Sequence, residues 1–239
     1  MNGKLYALGV GPGASDLITV RAARLLGQLD VLYAPAGRKG GDSLALSIVR
    51  EYLLPHTEIR TCHFPMSAEE GEKQAVWDDV AQQLRQEVEQ GKQVGFITLG
   101  DAMLFSTWVF LLARLGRPEW LEIVPGVTSF AAIAARAVVP LAMESQSLAV
   151  MSCTAPEAEL EQALLTHDCV VLMKVYGRLG LVQSLLARLQ LFEHAVLMAE
   201  ASLPGEQCWR RLDQMPSDSA LPYFSTILVN KSWLSEESL

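Results

Sequence analysis

"LYALGVGPGASDLITVRAARLLG", Leu5 to Gly27, sets three glycines and a proline between an apolar run and a helical pattern. An apolar run, a glycine turn and a helix, in that order, open a βαβ unit and predict a parallel α/β sheet. Taken literally, Gly9-x-Gly11-x-x-Ala14 satisfies the dinucleotide fingerprint, in which tight glycine turns deliver a pyrophosphate to a helix N-terminus. Three features argue against that ligand. Pro12 has no backbone N–H to offer a phosphate. Asp16 reads as the N-cap of the helix "LITVRAARLLG", where its carboxylate would already occupy the positive end of the helix dipole. The fingerprint also wants an acid about twenty residues on, at the end of the second strand. There the chain reads "VLYAPAGRKGG" and carries Arg38 and Lys39. The loop is expected to bring backbone close to a ligand other than NAD.

Outward from that stretch, short apolar runs alternate with longer helical ones. Strands are predicted at "KLYALGV", "DVLYAP", "EIRTCHF", "QVGFITL" and "LEIVP". Helices are predicted near 16–27, 43–54, 69–90, 106–115 and 128–137. In the third helix Val76, Trp77, Val80, Leu84 and Val88 recur at helical spacing, the mark of a packing face. "PLAMESQS", Pro140 to Ser147, interrupts the alternation and reads as a link between two α/β domains, 1–143 and 144–239. The second domain has strands at "SLAVMSC", "CVVLMKV", "AVLMAEA" and "YFSTILVN", a possible short strand at "CWRRLD", and helices near 156–166 and 177–189. The tail "SWLSEESL" reads as frayed.

Composition narrows the function. With 239 residues the chain can bury a sizeable core. No signal peptide and no membrane-length apolar run are evident. The cysteines Cys62, Cys153, Cys169 and Cys208 lie far apart, as do the histidines, so neither a disulfide frame nor a metal site is expected. A cytoplasmic location follows from that cysteine usage. A formal net charge of −8 disfavours nucleic acid as a partner and leaves a small molecule.

Ligands of open α/β sheets collect beyond the carboxyl ends of strands. Four segments stand out at such ends. In "FITLGDAMLFST" Asp101 can act as base or hydrogen-bond acceptor, or simply as a turn residue. In "IVPGVTSFAAIAARA" a Pro-Gly turn leads to Thr128, Ser129 and a helix of small residues, suited to a flat ligand or to tight packing. In "VVLMKVYGR" Lys174 and Tyr176 follow an apolar strand, where a buried charge needs a partner. "MAEASLPGE" and "PYFSTILV" together outline a narrow slot.

In order, "GVGPGASDLITVRA", "TLGDAMLF", "VPGVTSFAAIAA", "VVLMK", "AEAS" and "FSTILV" resemble the class III, S-adenosylmethionine-dependent tetrapyrrole methyltransferases. "APAGRKGGDSLALSIVREYL", "CHFPMS" and "PYFSTILV" resemble the branch that methylates the C(20) meso carbon of precorrin-2 or its cobalt form. Ala102 stands where the family usually has proline. The resemblance implies a kidney-shaped molecule of two α/β domains with the active site in the interdomain cleft, and a homodimer. It implies S-adenosyl-L-methionine as cofactor, held by Pro12, Gly100, Asp101, Met103, Leu104, Thr128, Ser129, Met173, Ala201 and Thr226. A carboxylated tetrapyrrole would be lined by Arg38, Lys39, Arg136, Tyr176 and Arg178. A base for the meso proton would come from Asp101, Lys174 or Tyr223, and no metal from the protein. Rival readings are a uroporphyrinogen methylase acting earlier, an NAD-dependent oxidoreductase and a non-catalytic nucleotide sensor.

Overall fold

The computed structural model describes residues 3–37, 43–64 and 70–233. It divides into two compact units between Thr128 and Ser129. The first contains β1 (Lys4–Gly9), α1 (Val20–Leu26), β2 (Val31–Ala36), α2 (Leu44–Val49) and β3 (Glu58–His63). It continues with α3 (Glu70–Glu89), β4 (Gln93–Thr98), α4 (Trp108–Leu115) and β5 (Leu121–Val124). Its sheet has the order β3-β2-β4-β1-β5 with every pair parallel.

A parallel sheet covered on both faces needs strands apolar on both sides, which explains the near-continuous runs in β1 and β4. Leu5, Ala7 and Phe96 point to the face covered by α3 and α4, against Trp77, Leu84, Trp108 and Leu111. Leu8, Leu32 and Ile97 point to the other, against Leu26 of α1 and Val49 of α2. The α3 stripe is that packing face: Trp77, Val80, Leu84 and Val88 are buried. One cap differs from expectation. Asp16 lies exposed in a separate 3-10 turn, and α1 is capped by Thr19, whose hydroxyl accepts from Ala22 N at 3.2 Å. The "DLIT" segment is too extended at Ile18 and Thr19 for the helix to begin earlier.

The second unit holds α5 (Ser129–Ala137), β6 (Leu148–Ser152), α6 (Glu157–Thr166), β7 (Cys169–Met173) and α7 (Leu179–Arg188). β8 (Ala195–Ala199), β9 (Gln207–Trp209) and β10 (Ser225–Asn230) follow. Its sheet runs β6-β7-β10-β8-β9, with β6 and β7 parallel and β10 antiparallel to both neighbours. α6 and α7 cover one face through Leu160, Leu164, Val182 and Leu185.

α5 covers the other face, with Ile133, Ala134 and Ala137 against Val171, Val196 and Leu228. That packing sets the unit boundary ahead of the 143/144 division expected from sequence. The Pro140–Ser147 segment is tied into the second unit as well. Asn230 Nδ2 donates to Leu141 O at 3.3 Å, and Trp233 Nε1 donates to Pro140 O at 2.8 Å. The short strand foreseen at "CWRRLD" is β9, displaced toward Gln207 and paired antiparallel with β8. Residues 234–239 of the tail lie outside the described residues.

Candidate active site

In the first unit the glycines are fitted to one another. Gly9, Gly100 and Gly126 end three neighbouring strand segments, and their backbones touch. A Cβ on Gly9 would stand 2.6 Å from Gly126 N and 2.7 Å from Gly100 O, and one on Gly126 would stand 2.1 Å from Gly100 O. Gly11, at φ +82°, forms a two-way bridge in which Gly11 N donates to Gly100 O at 3.2 Å and Gly100 N donates to Gly11 O at 2.7 Å. The backbone approach that the glycine loop permits is therefore first of all an approach to other backbone. The dinucleotide reading fails on this geometry. The loop's N–H and C=O groups at Gly11 are spent on Gly100, Pro12 has no N–H, and α1 begins only at Val20.

Asp101 locks the same junction. Its carboxylate accepts from Met103 N at 2.8 Å and from Gly126 N at 2.9 Å, one bond to each oxygen. It thus braces the turn after β4 against the turn after β5. Beyond it Met103 is half exposed, Leu104 is partly buried, and Phe105 is held at φ +49°. Gly100 itself sits at φ +69°, a conformation that favours glycine, with open space where its Cβ would point.

The second unit presents its own strand ends. Thr226 of β10 pairs in register with Met173 of β7, and Ser225 pairs with Ala199 of β8. Met173, Ala199, Ala201, Ser225 and Thr226 therefore share one end of the sheet. Ala201 and Thr226 are buried there. Three non-glycine residues at this end adopt left-handed backbone: Lys174 (φ +58°), Glu200 (φ +51°) and Ser202 (φ +63°). Such conformations cost on the order of 1–3 kcal/mol each and gather at ligand sites. Lys174 has no ion partner among the described residues, and the Tyr176 and Tyr223 hydroxyls have no hydrogen bond there. Sequence reading missed the strained backbone and Phe224, which packs edge-on against Tyr223. Only the adjacency of two aromatics in "PYFSTILV" signalled the latter.

The remaining expected residues fall as follows. Thr128 and Ser129, both partly buried, flank the boundary of the two units, and Pro12 is buried in the glycine loop. Arg136 is engaged by Glu206 in an ion pair, and Glu206 also accepts from Ser202 N at 2.6 Å. Burial pushes the Glu206 carboxyl up, but Arg136 and the Ser202 amide outweigh it and hold it below the usual carboxylate range. Arg178, at the start of α7, donates to Ala155 O at 3.4 Å. Arg38 and Lys39 lie outside the described residues. Burial pushes the Cys62 thiol up to about 11 and the Cys153 thiol up to about 12, which keeps both in the unreactive protonated form. Among the described residues no three His, Cys, Asp or Glu side chains converge on a metal-sized site.

These groups suit a folded sulfonium nucleoside. In the first unit the glycine-joined turns with Met103 and Leu104 offer backbone and soft apolar contact, and no phosphate cradle.

A profile of the tetrapyrrole (corrin/porphyrin) methylases matches residues 4–215. The cobalt-precorrin-2 C(20)-methyltransferase of Salmonella typhimurium is 73% identical over 233 residues, 98% of each chain. The X-ray structure of a cobalt precorrin-4 methyltransferase superposes with a TM-score of 0.73 at 26% identity, covering 96% of this chain and 95% of that one. The uroporphyrin-III C-methyltransferase from Thermus thermophilus, complexed with S-adenosylhomocysteine, shares the fold with a TM-score of 0.67 at 24% identity over 95% and 97% of the two chains. A profile match over most of its length, and a relative alike from end to end, place this chain in the tetrapyrrole methylases.

Proposed function

We propose that the protein transfers the methyl group of S-adenosyl-L-methionine to the C(20) meso carbon of cobalt-precorrin-2, in corrin synthesis. The observation that carries this reading is the end-to-end identity with a cobalt-precorrin-2 C(20)-methyltransferase. When bound, S-adenosyl-L-methionine supplies a methyl group already activated by its sulfonium. The protein's work is then chiefly to hold the electron-rich meso carbon in line with it and to exclude water.

In this reading the turns after β1, β4 and β5 form one rigid wall, with Asp101 as its brace. Met103 and Leu104 of the first unit, and Met173, Ala201 and Thr226 of the second, are assigned contacts to the methyl donor. The carbon that gains a methyl must lose its meso proton. Each Asp101 oxygen accepts one backbone N–H and keeps a further lone pair, but the carboxylate is assigned to the frame it braces. The Tyr223 hydroxyl, half exposed, is assigned to relay the proton, accepting it while passing its own to solvent. Lys174 and Arg178, and Arg38 and Lys39 from the glycine-flanked segment after β2, are assigned to the acid side chains of the macrocycle. Arg136, neutralised by Glu206, is placed in the frame of the site. The protein is proposed to work as a homodimer in the cytoplasm, in keeping with four free thiols.

The test is an anaerobic incubation with methyl-labelled S-adenosyl-L-methionine, offering uroporphyrinogen III, precorrin-2 and cobalt-precorrin-2 separately. One label at C(20), transferred fastest to the cobalt form, is the expected result. Label on a pyrrole carbon would move the protein to another step, and no transfer would overturn the reading.

A further inference from the structure

At the β7–β10 end of the second sheet three aromatic rings stand in the open. Tyr176, Tyr223 and Phe224 are 54%, 48% and 41% exposed, between the buried Val175 and Ser225. They are ordered against one another. The Tyr176 and Tyr223 ring centroids lie 5.9 Å apart at 53°, and those of Tyr223 and Phe224 lie 5.1 Å apart at 85°. Tilted and edge-on contacts of this kind fix ring orientation without covering the outer π faces. The backbone beneath is also fixed. Val175 N donates to Ser225 O at 3.1 Å, and left-handed Lys174 and Gly177 bracket Tyr176. Exposing three rings forgoes their burial, and the left-handed lysine adds strain, so a patch held this way is built for contact.

The occupant follows from shape and charge. A flat conjugated macrocycle offers the π surface that stacks on such rings. Its acid side chains match the Lys174 ammonium, which has no ion partner among the described residues. We propose that Tyr176, Tyr223 and Phe224 form an aromatic ledge that carries the tetrapyrrole face-on, with Lys174 taking one acid side chain, and so sets which meso carbon is presented for methylation. This rests on the tetrapyrrole reading above. It goes further by separating binding, through the ring faces, from proton removal, through one hydroxyl.

The test uses the full chain and leaves Tyr223 intact. Tyr176→Leu, Phe224→Leu and the double variant are compared with the wild type and with Tyr176→Phe. Uroporphyrin III, an oxygen-stable flat tetrapyrrole, is the binding probe by absorbance titration. S-adenosylhomocysteine is titrated by calorimetry. For the double variant the expected result is a loss of about tenfold or more in uroporphyrin affinity, with KM for cobalt-precorrin-2 raised in step. S-adenosylhomocysteine affinity should hold, the label should spread from C(20) to other carbons in the double variant, and Tyr176→Phe should bind and methylate like wild type. A wild-type KM in the double variant overturns the ledge and leaves the methylase intact. So does parallel loss of both ligands in the singles, because it marks a structural role. If the wild type binds S-adenosylhomocysteine but methylates no tetrapyrrole, the functional reading falls and the ledge falls with it.

Discussion

At the scale of single residues, three positions separate frame from chemistry. Gly126 has no room for a side chain: Gly126→Ala would set a Cβ 2.1 Å from Gly100 O. Backbone cannot yield as a flexible side chain does, so a cost of about 1–3 kcal/mol is expected, read by urea unfolding, with weaker S-adenosylhomocysteine binding. Asp101→Asn keeps one acceptor oxygen and sets an NH2 group against a backbone donor. It should likewise lower stability, by about 1–3 kcal/mol, and leave the shape of the pH–rate profile unchanged. An altered profile would return Asp101 to the role of base. Tyr223→Phe should do the reverse, lowering kcat by about 10²–10⁴ at unchanged melting temperature. Thiol chemistry offers a further check on burial. Cys208 is the exposed cysteine, and mass spectrometry after brief alkylation of the native protein should find it modified first.

Among elements, the clearest coupling joins α3 to the sheet. Glu87, buried in the last turn of α3, receives Arg60 of β3 on one oxygen and Lys92 on the other at 2.5 Å, while Arg60 also donates to Tyr33 of β2 at 2.9 Å. Burial alone would raise the Glu87 carboxyl, but the hydrogen bonds from Lys92 and Arg60 prevail and hold it low. A carboxyl lower in the folded than in the unfolded chain stabilises above its unfolded value, and that gain is lost as pH falls through the folded one. Glu87→Gln should therefore cost about 1.5–3 kcal/mol at neutral pH, and the gap should close in acid, below about pH 4. How much was legible in the sequence also differs by element. β1, β2 and β4 could be read because strands buried on both faces must be apolar throughout. The apolar stripe of α5 announced that something covers it but not which sheet, so its allegiance needed coordinates. β9 is a three-residue edge strand, largely exposed, and leaves almost no periodic trace. The glycine turns were visible, yet their use could not be, because the space a Cβ on Gly9 or Gly126 would fill is occupied by backbone distant in sequence. Asp101 was visible as an acid at a strand end, but its two amide partners were not.

For the molecule as a whole, acid should act on both units. Glu87 serves the first. In the second, Glu206 is held low despite burial by Arg136, and Asp168 by the backbone N–H and hydroxyl of Ser147. Each contribution is present above the ordinary carboxylate range and fades below it, so the melting temperature should be flat near neutrality and fall below about pH 4.5. A protein whose melting temperature rose on acidification would contradict those assignments. The two sheets differ in one more respect. The first has all its strands by Val124, whereas the second is built around β10, which lies between β7 and β8 although it comes after every other strand in the chain. During synthesis the first sheet can therefore close while the ribosome is still at work. The second must wait with a gap at its centre until Asn230 has emerged, and a premature stop only a few codons upstream would leave β7 and β8 with open edges for a chaperone or a neighbouring chain to find.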